Sequence, residues 1–378
     1  MKVALNLLGL PSVRQGGTGF YCELLVRGLG AQADVQPNVL CTPQVAGELD
    51  GTGAELTSAG DRGGRARKTA ELACSLRRPL RYADGYRRLP HDWPGNAALS
   101  HYPLSFVAGP DHRLPLVLTT LDLQHLAFPQ FFRRRDRALR AIRWHRALRI
   151  ADRVITSSDH ARTTIVEHVG VPAEKIDVIP LAVSERFFGP SPDEAPHPEP
   201  FLFYPAAALP AKNHERLFAA FAAAAADEPD LRLVLSGPGG QDWAKLQSAA
   251  HRVGVADRVR FTGHLDLASL HAHYAYARAL VFPSLYEGFG LPLAEALAVG
   301  CPIAASRSAS VPEVVGDCGV LFDGNDVDDI ARGIRELLDL PRDRFVEAGK
   351  RRAEGFRLDR MAEGTLGSYR RALAGGDP

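Results

Sequence analysis

The stretch Val281-Phe-Pro-Ser-Leu-Tyr-Glu-Gly-Phe-Gly-Leu-Pro-Leu-Ala-Glu295 joins the end of an apolar run to a loop and a helix start. The run Ala279–Phe282 is short and apolar, which is typical of a parallel strand buried on both faces. Gly288 and Gly290 permit positive φ in the loop that follows. Pro292 suits the first turn of a helix, where its missing N–H costs nothing. The stretch therefore predicts a strand–loop–helix unit of an α/β protein.

Two carboxylates, Glu287 and Glu295, stand eight positions apart in this unit. Ligands of open α/β sheets bind beside the carboxyl ends of the strands. The helix amino terminus offers free N–H groups to an anion such as a diphosphate, and a nearby carboxylate can accept hydrogen bonds from ribose hydroxyls. The pattern favours a sugar nucleotide as ligand. It is equally compatible with Glu295 complementing the helix dipole and Glu287 being a solvated loop residue.

Composition sets broad limits on the class of protein. The 378 residues suffice for two domains, and 46% hydrophobic with 24% charged residues is ordinary for a globular chain. A net charge of +1 gives no overall case for binding nucleic acid. The five cysteines include no CxxC pair, which argues against a disulfide framework or zinc site and favours a reducing, cytoplasmic location. The apolar run at the amino terminus is too short for a signal peptide.

Alternating strand and helix patterns, with glycines after the strands, predict two doubly wound sheets. The segment 189–200 carries five prolines and is predicted to be an extended linker. The sequence therefore predicts an amino-terminal domain over 1–190 and a second domain over 199–356. The pattern Asp326-Val-Asp328 matches the DxD motif of metal-dependent transferases, but it stands at a predicted helix start, where aspartates are common caps. No metal site is predicted there.

Residues 61–153 form a basic stretch, with nineteen Arg and Lys against eight Asp and Glu. Its densest part, 131–150, is predicted to be a helix with arginines around one apolar face, made of Leu139, Ile142, Trp144, Leu148 and Ile150. One hypothesis is a surface that docks on anionic lipid or on a phosphate-linked acceptor, giving peripheral membrane contact. The alternative is a solvated basic face on an ordinary helix.

The segment from Glu287 to Glu295 resembles the Glu-x7-Glu signature of the family 4 retaining glycosyltransferases, which have the GT-B fold. Further segments resemble the same family: Phe203-Tyr-Pro, Lys212-Asn-His-Glu-Arg-Leu217, Phe261-Thr-Gly-His-Leu265, Gly300-Cys-Pro-Ile303, Val311-Pro-Glu-Val-Val-Gly316 and Gly319-Val-Leu-Phe-Asp323. The resemblance implies two Rossmann-like doubly wound domains that face each other across a donor-binding cleft. It also implies a crossover helix at about 357–378 that returns to the amino-terminal domain.

The resemblance assigns roles to individual residues. Lys212 would contact the donor diphosphate, Glu287 the donor-sugar hydroxyls and Glu295 the ribose, and Lys212 and Glu287 are the catalytic candidates. The remaining donor-binding candidates are Gly16, Gly17, Gly263, His264, Leu265, Gly288, Phe289, Gly290 and Leu291, and Asp122 is the acceptor-side candidate. Taken alone, the stretch Arg14-Gln-Gly-Gly-Thr-Gly19 is neither G-x-G-x-x-G nor a Walker A motif, and a plain tight turn explains it equally well.

Two positions depart from the family pattern. Family members commonly carry a histidine at the position of Leu121 and an arginine at the position of Ala207. The second departure removes one positive charge from the expected diphosphate site, and Arg14 or Arg307 could replace it.

The resulting expectation is a metal-independent, cofactor-free retaining glycosyltransferase. It would move a sugar, with a lean toward mannose or rhamnose, from a nucleotide-diphospho-sugar to a hydroxyl of a glycan, a lipid-linked or a small-molecule acceptor. The alternatives are a nucleotide-sugar epimerase on the same fold and a non-catalytic sugar-nucleotide-binding protein. No nucleic-acid partner is expected.

Overall fold

The computed structural model describes residues 1–14, 16–61, 86–88, 95–106, 114–238 and 242–375. The chain forms two compact units, the first made of Met1–Ala182 with Leu358–Pro378 and the second of Val183–Arg357. The proline-rich segment 189–200 lies within the second unit. Parts of the predicted basic stretch, namely 62–85, 89–94 and 107–113, lie outside the described residues.

The first unit is built on a parallel sheet. Its described strands are β1 (Lys2–Asn6), β2 (Gln36–Cys41), β3 (Glu55–Ser58), β4 (Gly60–Asp61), β5 (Tyr86–Arg88), β6 (Leu99–Tyr102), β7 (Leu116–Thr119), β8 (Arg153–Thr156) and β9 (Ile176–Val178). Seven of these form one sheet in the order β3-β2-β1-β6-β7-β8-β9, while β4 pairs with β5 antiparallel. In the centre, Leu5 pairs with Val39 on one side and with His101 on the other. The strand order reverses between β1 and β6.

Helices connect these strands. They are α1 (Gly16–Gly30), α2 (Pro43–Glu48), α3 (Gln124–Ala127), α4 (Arg134–Arg140), α5 (Arg146–Ile150) and α6 (Asp159–Val169), with 3-10 turns at Pro129–Phe131 and Ala173–Lys175. The segment Ala141–His145 between α4 and α5 is a π-helical turn.

The single apolar face predicted for 131–150 is wrong. Leu148 is buried, but Ile142 and Ile150 are 44% and 39% exposed. The π turn inserts an extra residue, and each residue of a helix accounts for about 100° of rotation. Residues before and after Ala141–His145 therefore do not share one continuous face.

The second unit contains strands β10 (Phe201–Pro205), β11 (Arg232–Ser236), β12 (Val259–Phe261), β13 (Ala279–Phe282), β14 (Ile303–Ser306) and β15 (Val320–Phe322). They form a parallel sheet in the order β12-β11-β10-β13-β14-β15. Its helices are α7 (His214–Ala224), α8 (Asp242–Arg252), α9 (Leu267–Tyr276), α10 (Leu291–Val299), α11 (Val311–Val315), α12 (Val327–Asp339) and α13 (Asp343–Ala353), with 3-10 turns at Glu185–Phe188, Pro210–Lys212, Ala256–Arg258 and Glu354–Phe356. The chain ends in α14 (Leu358–Ala374), which belongs to the first unit.

The second sheet also reverses its strand order, between β10 and β13, and ligands of doubly wound sheets bind at this kind of switch point. Every residue of β13 is buried, as its apolar run predicted. Rings from neighbouring elements fill the core beside it, and Tyr204 meets Phe282 edge-on at 5.6 Å. Each buried aromatic side chain of this kind contributes about 1.5–3 kcal/mol to folding. The core therefore fixes the strand ends that carry the candidate site.

A buried polar network ties α14 to the first sheet. The hydroxyl of Tyr369 lies 2.7 Å from Nδ1 of His101, and Nε2 of His101 lies 2.8 Å from the hydroxyl of Thr119. The hydroxyl of Tyr21 reaches the same Thr119 oxygen at 3.0 Å. Burial lowers the pKa of His101 to about 3, so its ring is neutral. Among the helices of the described chain, none combines the length and the apolar character needed to cross a membrane.

Candidate functional site

Lys212 and Glu287, which are 75 residues apart in sequence, form an ion pair. Nζ of Lys212 donates to Oε1 of Glu287 at 2.5 Å, and the two side chains are 21% and 13% exposed. They meet because Lys212 follows β10, Glu287 follows β13, and these strands are parallel neighbours. Glu287 is therefore not a solvated loop residue. The opposite charges of the two side chains therefore balance each other at the switch point of the sheet.

The turn that carries Lys212 is held from three sides. Asn213 adopts a left-handed conformation with φ 61°, which asparagine tolerates better than most residues. Its Nδ2 donates to the buried carbonyl of Pro283 at 3.1 Å and to that of Gly324 at 2.6 Å. The hydroxyl of Tyr204 donates to the carbonyl of Lys212 at 2.8 Å. These bonds fix the backbone from which the Lys212 side chain extends.

Serine hydroxyls hold the loop that carries Glu287. Ser310 lies 3.0 Å from the carbonyl oxygens of both Glu287 and Phe289. Ser306 and Ser308 donate to the carbonyl of Ser284 at 2.5 and 2.9 Å. Ala309, directly before Ser310, has φ 48°, a conformation that costs on the order of 1–3 kcal/mol in a residue other than glycine. Local strain is therefore tolerated where the chain turns to support this loop.

The start of α10 follows the sequence prediction closely. Gly290 precedes the helix with φ 94°, and a Cβ there would lie 2.8 Å from Leu293. Pro292 stands in the first turn, and Gly300 ends the helix in the left-handed conformation. Gly288, in contrast, does not adopt positive φ. The ring of Phe289 is buried and meets Phe356 edge-on at 5.4 Å, so this residue can offer a ligand its backbone rather than its side chain.

Glu295 lies in the second turn of α10 and is 5% exposed. The hydroxyl of Tyr274 donates to its Oε2 at 2.7 Å, while Oε1 takes no hydrogen bond from the described residues. Burial raises the pKa of Glu295 to about 7, against the opposing effect of the Tyr274 hydrogen bond. Burial and this position favour a specific partner for the carboxylate over general interaction with the helix dipole.

The Gly263-His264-Leu265 segment follows β12 in the same sheet. The carbonyl of Gly263 accepts from the N–H of Gly237 at 2.8 Å, which joins this segment to the end of β11. Gly263 has φ 78° and space around its Cα, whereas a Cβ at Gly237 would lie 2.9 Å from the carbonyl oxygen of Ala206. His264 is exposed and Leu265 is half-buried. The predicted donor residues from 212 to 295 thus belong to one sheet edge and the helix that follows it.

The other predicted residues belong to the first unit. Helix α1 begins at Gly16, so Gly16 and Gly17 lie in its first turn. A Cβ at Gly16 or Gly17 would have no atom within 4 Å, whereas one at Gly19 would lie 2.7 Å from the carbonyl oxygen of Ser12. Asp122 follows β7, and its Oδ1 accepts from the N–H of Gln124 at 3.0 Å.

Five residues of the site carried no prediction of their own: Asn213, Tyr274, Ser306, Ser308 and Ser310. Asn213 had a usable signal, because asparagine before a helix favours left-handed or capping conformations. Tyr274 and Ser310 contact the site through tertiary folding, and no sequence spacing indicates this. The guanidinium of Arg307, considered as a replacement for the charge missing at Ala207, donates to the carbonyl of Leu321 at 3.4 Å.

The described residues contain no cluster of His, Cys, Asp or Glu that could hold a metal ion. The Asp326 side chain caps α12, accepting from the N–H groups of Asp328 and Asp329. This confirms the interpretation of Asp326-Val-Asp328 as a helix cap.

Comparison with known proteins places the chain in a family. The Glycosyltransferase Family 4 model matches residues 15–187, and the Glycosyl transferases group 1 model matches 190–352. O-antigen chain mannosyltransferase B of Escherichia coli is 30% identical over 323 residues, covering 81% of this chain and 84% of that protein. The chain belongs to the family 4 glycosyltransferases. It is therefore an enzyme, a glycosyltransferase of the hexosyltransferase type.

Other similar proteins support the same assignment. MMP alpha-(1->4)-mannosyltransferase of Mycolicibacterium hassiacum is 33% identical over 236 residues, covering 61% of this chain and 56% of that protein. Sucrose-phosphate synthase from Thermosynechococcus elongatus superposes with a TM-score of 0.75 at 20% identity, covering 99% of each chain. The glycosyltransferase WaaG gives 0.70 at 16% identity, covering 96% of this chain and 98% of its own. This family 4 glycosyltransferase has two Rossmann-like units and the GT-B fold, as the resemblance implied.

Proposed function

We propose that this glycosyltransferase moves mannose from a nucleotide-diphospho-sugar to a glycan hydroxyl, with retention of anomeric configuration. The observation that carries the proposal is the Lys212–Glu287 ion pair at the switch point of the second sheet. The sugar is inferred from the two relatives named as mannosyltransferases. The relative named for O-antigen chains favours a role in polysaccharide biosynthesis.

The proposed mechanism rests on charge. Negative charge builds on the departing diphosphate, and a fixed cation with oriented N–H groups lowers that barrier. Lys212 supplies the cation, and the backbone of the loop from Gly288 to Leu291 supplies N–H groups. When a diphosphate competes for Lys212, Glu287 is released to accept hydrogen bonds from the sugar hydroxyls. Oε1 of Glu295 is the acceptor we assign to the ribose.

The presence of glycine at position 17 is an argument that a ligand approaches the backbone closely in the first unit. Neither packing nor a positive φ requires glycine at this position, and glycine within a helix costs about 0.5–1 kcal/mol relative to alanine. We assign Gly16 and Gly17 to backbone contact with the donor phosphate and the acceptor, and Asp122 to the acceptor side.

We further propose that the reaction is metal-independent, with Lys212 and the loop N–H groups in place of a metal ion. The arginines of 133–149 suit contact with an anionic membrane surface on the cytoplasmic side.

The test is turnover of GDP-, UDP-, dTDP- and ADP-sugars, followed by mass spectrometry with and without chelator. We expect GDP-mannose or one other mannosyl donor to be consumed, and consumption to be unaffected by chelator. Substitution Lys212→Ala should slow it by about 10²–10³, the usual cost of removing one charge-stabilising donor. Glu287→Gln should also slow it, because its sugar contact is weakened.

Lys245→Ala is the matched control, because Lys245 is 79% exposed and pairs with Asp242 within α8. It should retain full activity. Turnover by Lys212→Ala within about threefold of the wild type would refute the assigned site. Proton NMR of the first product reports its anomeric configuration, and an inverted product would refute retention.

A further inference from the structure

A cavity of about 420 Å³ lies in the first unit beside α3 and α4. Its volume falls within the range of about 300–1,000 Å³ that is usual for small-molecule sites. The lining residues are His125, Leu126, Arg134, Arg137, Ala138 and Ala141. The family resemblance assigned no role to any of them.

His125 is the buried polar group of this cavity. The residue is 2% exposed, and neither Nδ1 nor Nε2 has a hydrogen-bond partner among the described residues. Its ring meets that of Trp144 edge-on at 5.2 Å and that of Phe132 at 6.3 Å. Buried polar atoms are usually paired, because leaving them without a partner costs free energy. An imidazole with both nitrogens unpaired at a cavity wall therefore points to a ligand.

Arg134 and Arg137 supply unpaired positive charge to the same cavity. They stand three positions apart on α4, so their side chains share a face. Within the described part of the chain, neither guanidinium has a hydrogen-bond or ion-pair partner. Arg149, by contrast, donates to the carbonyl of Val169 at 2.9 Å, and Arg140 lies over the rings of Phe132 and Trp144.

The surrounding segment offers little negative charge. Residues 123–150 contain eight arginines and one acid, Asp136. Two guanidinium groups and an imidazole suit a ligand with more than one negative charge, and guanidinium matches the oxygens of a phosphate in bidentate geometry. Leu126, Ala138 and Ala141 provide an apolar wall for the organic part of such a ligand.

We propose that this cavity binds a phosphate ester or diphosphate group, paired with Arg134 and Arg137 and hydrogen-bonded to His125. The site differs from the donor site in composition and belongs to the other unit. The ligand is a phosphorylated molecule that the enzyme recognises in addition to its sugar donor.

The state of His125 provides a local readout. Burial, together with the positive charges of Arg140, His145 and Arg137, lowers the pKa of His125 to about 4. A bound anion offsets the charge of these cations and of Arg134, so it raises the pKa of His125 and favours the protonated ring.

The experiment is an NMR titration of the 378-residue chain labelled with ¹⁵N-histidine, with inorganic diphosphate as probe at pH 5. The His125 signals are assigned by their loss in His125→Gln. We expect a saturable shift of these signals toward the protonated form. Arg134→Gln and Arg137→Gln should each weaken binding by about 10-fold, as expected for loss of a charge-assisted contact.

Arg135→Gln is the matched control, because it removes the same charge from the same helix at a residue that does not line the cavity. It should change the affinity by less than twofold. Lys212→Ala should keep the His125 response while losing donor turnover, which separates this site from the proposed function. If Arg135→Gln weakened binding as much as Arg134→Gln and Arg137→Gln, the attraction would be diffuse and the proposal would be overturned. His125 signals that do not shift on addition of diphosphate would also overturn it.

A second titration uses farnesyl diphosphate and identifies the source of the phosphate. Tighter binding than that of inorganic diphosphate supports a lipid-linked ligand, and equal binding supports a water-soluble one. Binding to anionic vesicles without a diphosphate response at His125 would overturn the site in favour of a membrane surface.

Discussion

The Glu287 loop of the second unit and the Gly16–Gly17 turn of the first unit both follow central strands, but they are held differently. In the second unit, hydroxyl and amide donors from Asn213, Ser306, Ser308 and Ser310 bind the carbonyls of the loop. In the first unit, both glycines are exposed and have open space around them.

The segment just before the glycine turn is anchored by one carboxylate. Ser12 donates to Glu48 at 2.9 Å, and the N–H of Val13 donates to the same carboxylate at 2.8 Å. Burial acts to raise the pKa of Glu48, but hydrogen bonds from Val13, Gln44 and Ser12 outweigh it and lower the pKa. The last of these hydrogen bonds is donated by the N–H of Arg14 to Ser12. The Gly16–Gly17 turn that follows has open space around it.

This difference separates two ways of preparing a site. A loop whose carbonyls are already bound keeps its N–H groups and charges in place before a ligand arrives, which is what electrostatic stabilisation requires. An exposed glycine turn leaves room for a ligand to approach the backbone.

The largest effect is expected from Asn213→Ala, which removes the clamp on the Glu287 loop. Two buried carbonyls lose a donor, at roughly 2 kcal/mol each, so the stability of the second unit should fall by about 4 kcal/mol. Hydrogen exchange of peptides covering β10 and β11 measures this loss. Asn213→Gly should recover about 1 kcal/mol of it by relieving the left-handed conformation. Wild-type exchange rates in both variants would show that the loop is held by other contacts.

The next effect concerns Glu295 and depends on pH. The pKa of Glu295 is about 7 in the folded chain against an ordinary value of 4.5, so the folded state holds its proton where the unfolded state has lost it. The contribution of Glu295 to stability is therefore complete below pH 4.5 and falls by about 3 kcal/mol as pH rises through 7. Glu295→Gln should lack this loss.

Urea unfolding of the wild type and Glu295→Gln at pH 5 and pH 8 measures the difference. Tyr274→Phe removes the hydrogen bond to Oε2 and should move the midpoint above 7, because that bond favours the carboxylate. Parallel stability curves for the wild type and Glu295→Gln would contradict the assignment.

The smallest effect is expected from Gly17→Ala, which tests the open turn. Stability should stay constant or rise by up to about 1 kcal/mol, because the methyl group meets no atom and alanine favours the helix. If ligand approaches this backbone, kcat/KM for the donor should fall by about 10-fold, or roughly 1.4 kcal/mol. Gly47→Ala is the control, since Gly47 lies in α2 with equally open surroundings. Equal kinetics for both variants would remove Gly17 from the site.

Much of the fold was predictable because local patterns and long-range contacts agree. The apolar run Ala279–Phe282 is a buried strand, Pro292 stands in the first turn of α10, and the helix near the carboxyl end is Leu358–Ala374. The π turn at Ala141–His145 was missed, because the arginine-rich pattern there is compatible with a regular helix. Its effect was to expose Ile142, which periodicity had placed on a shared apolar face.

The amino-acid sequence alone indicates the chemical groups of the proposed donor site: a lysine after one strand, and two glutamates around a glycine loop after another. Glu287 and Glu295 could be named because each lies beside a local backbone signal, a strand end or a helix start, whereas Lys212 was named through the resemblance of its segment to the family. Their pairing and their burial, in contrast, follow only from the three-dimensional fold. Pairing of parallel strands β10 and β13 brings Lys212 onto Glu287, and burial beside Tyr274 raises the pKa of Glu295. Charge, pairing and burial depend on residues that are distant in the chain. The local sequence pattern therefore does not reveal these properties.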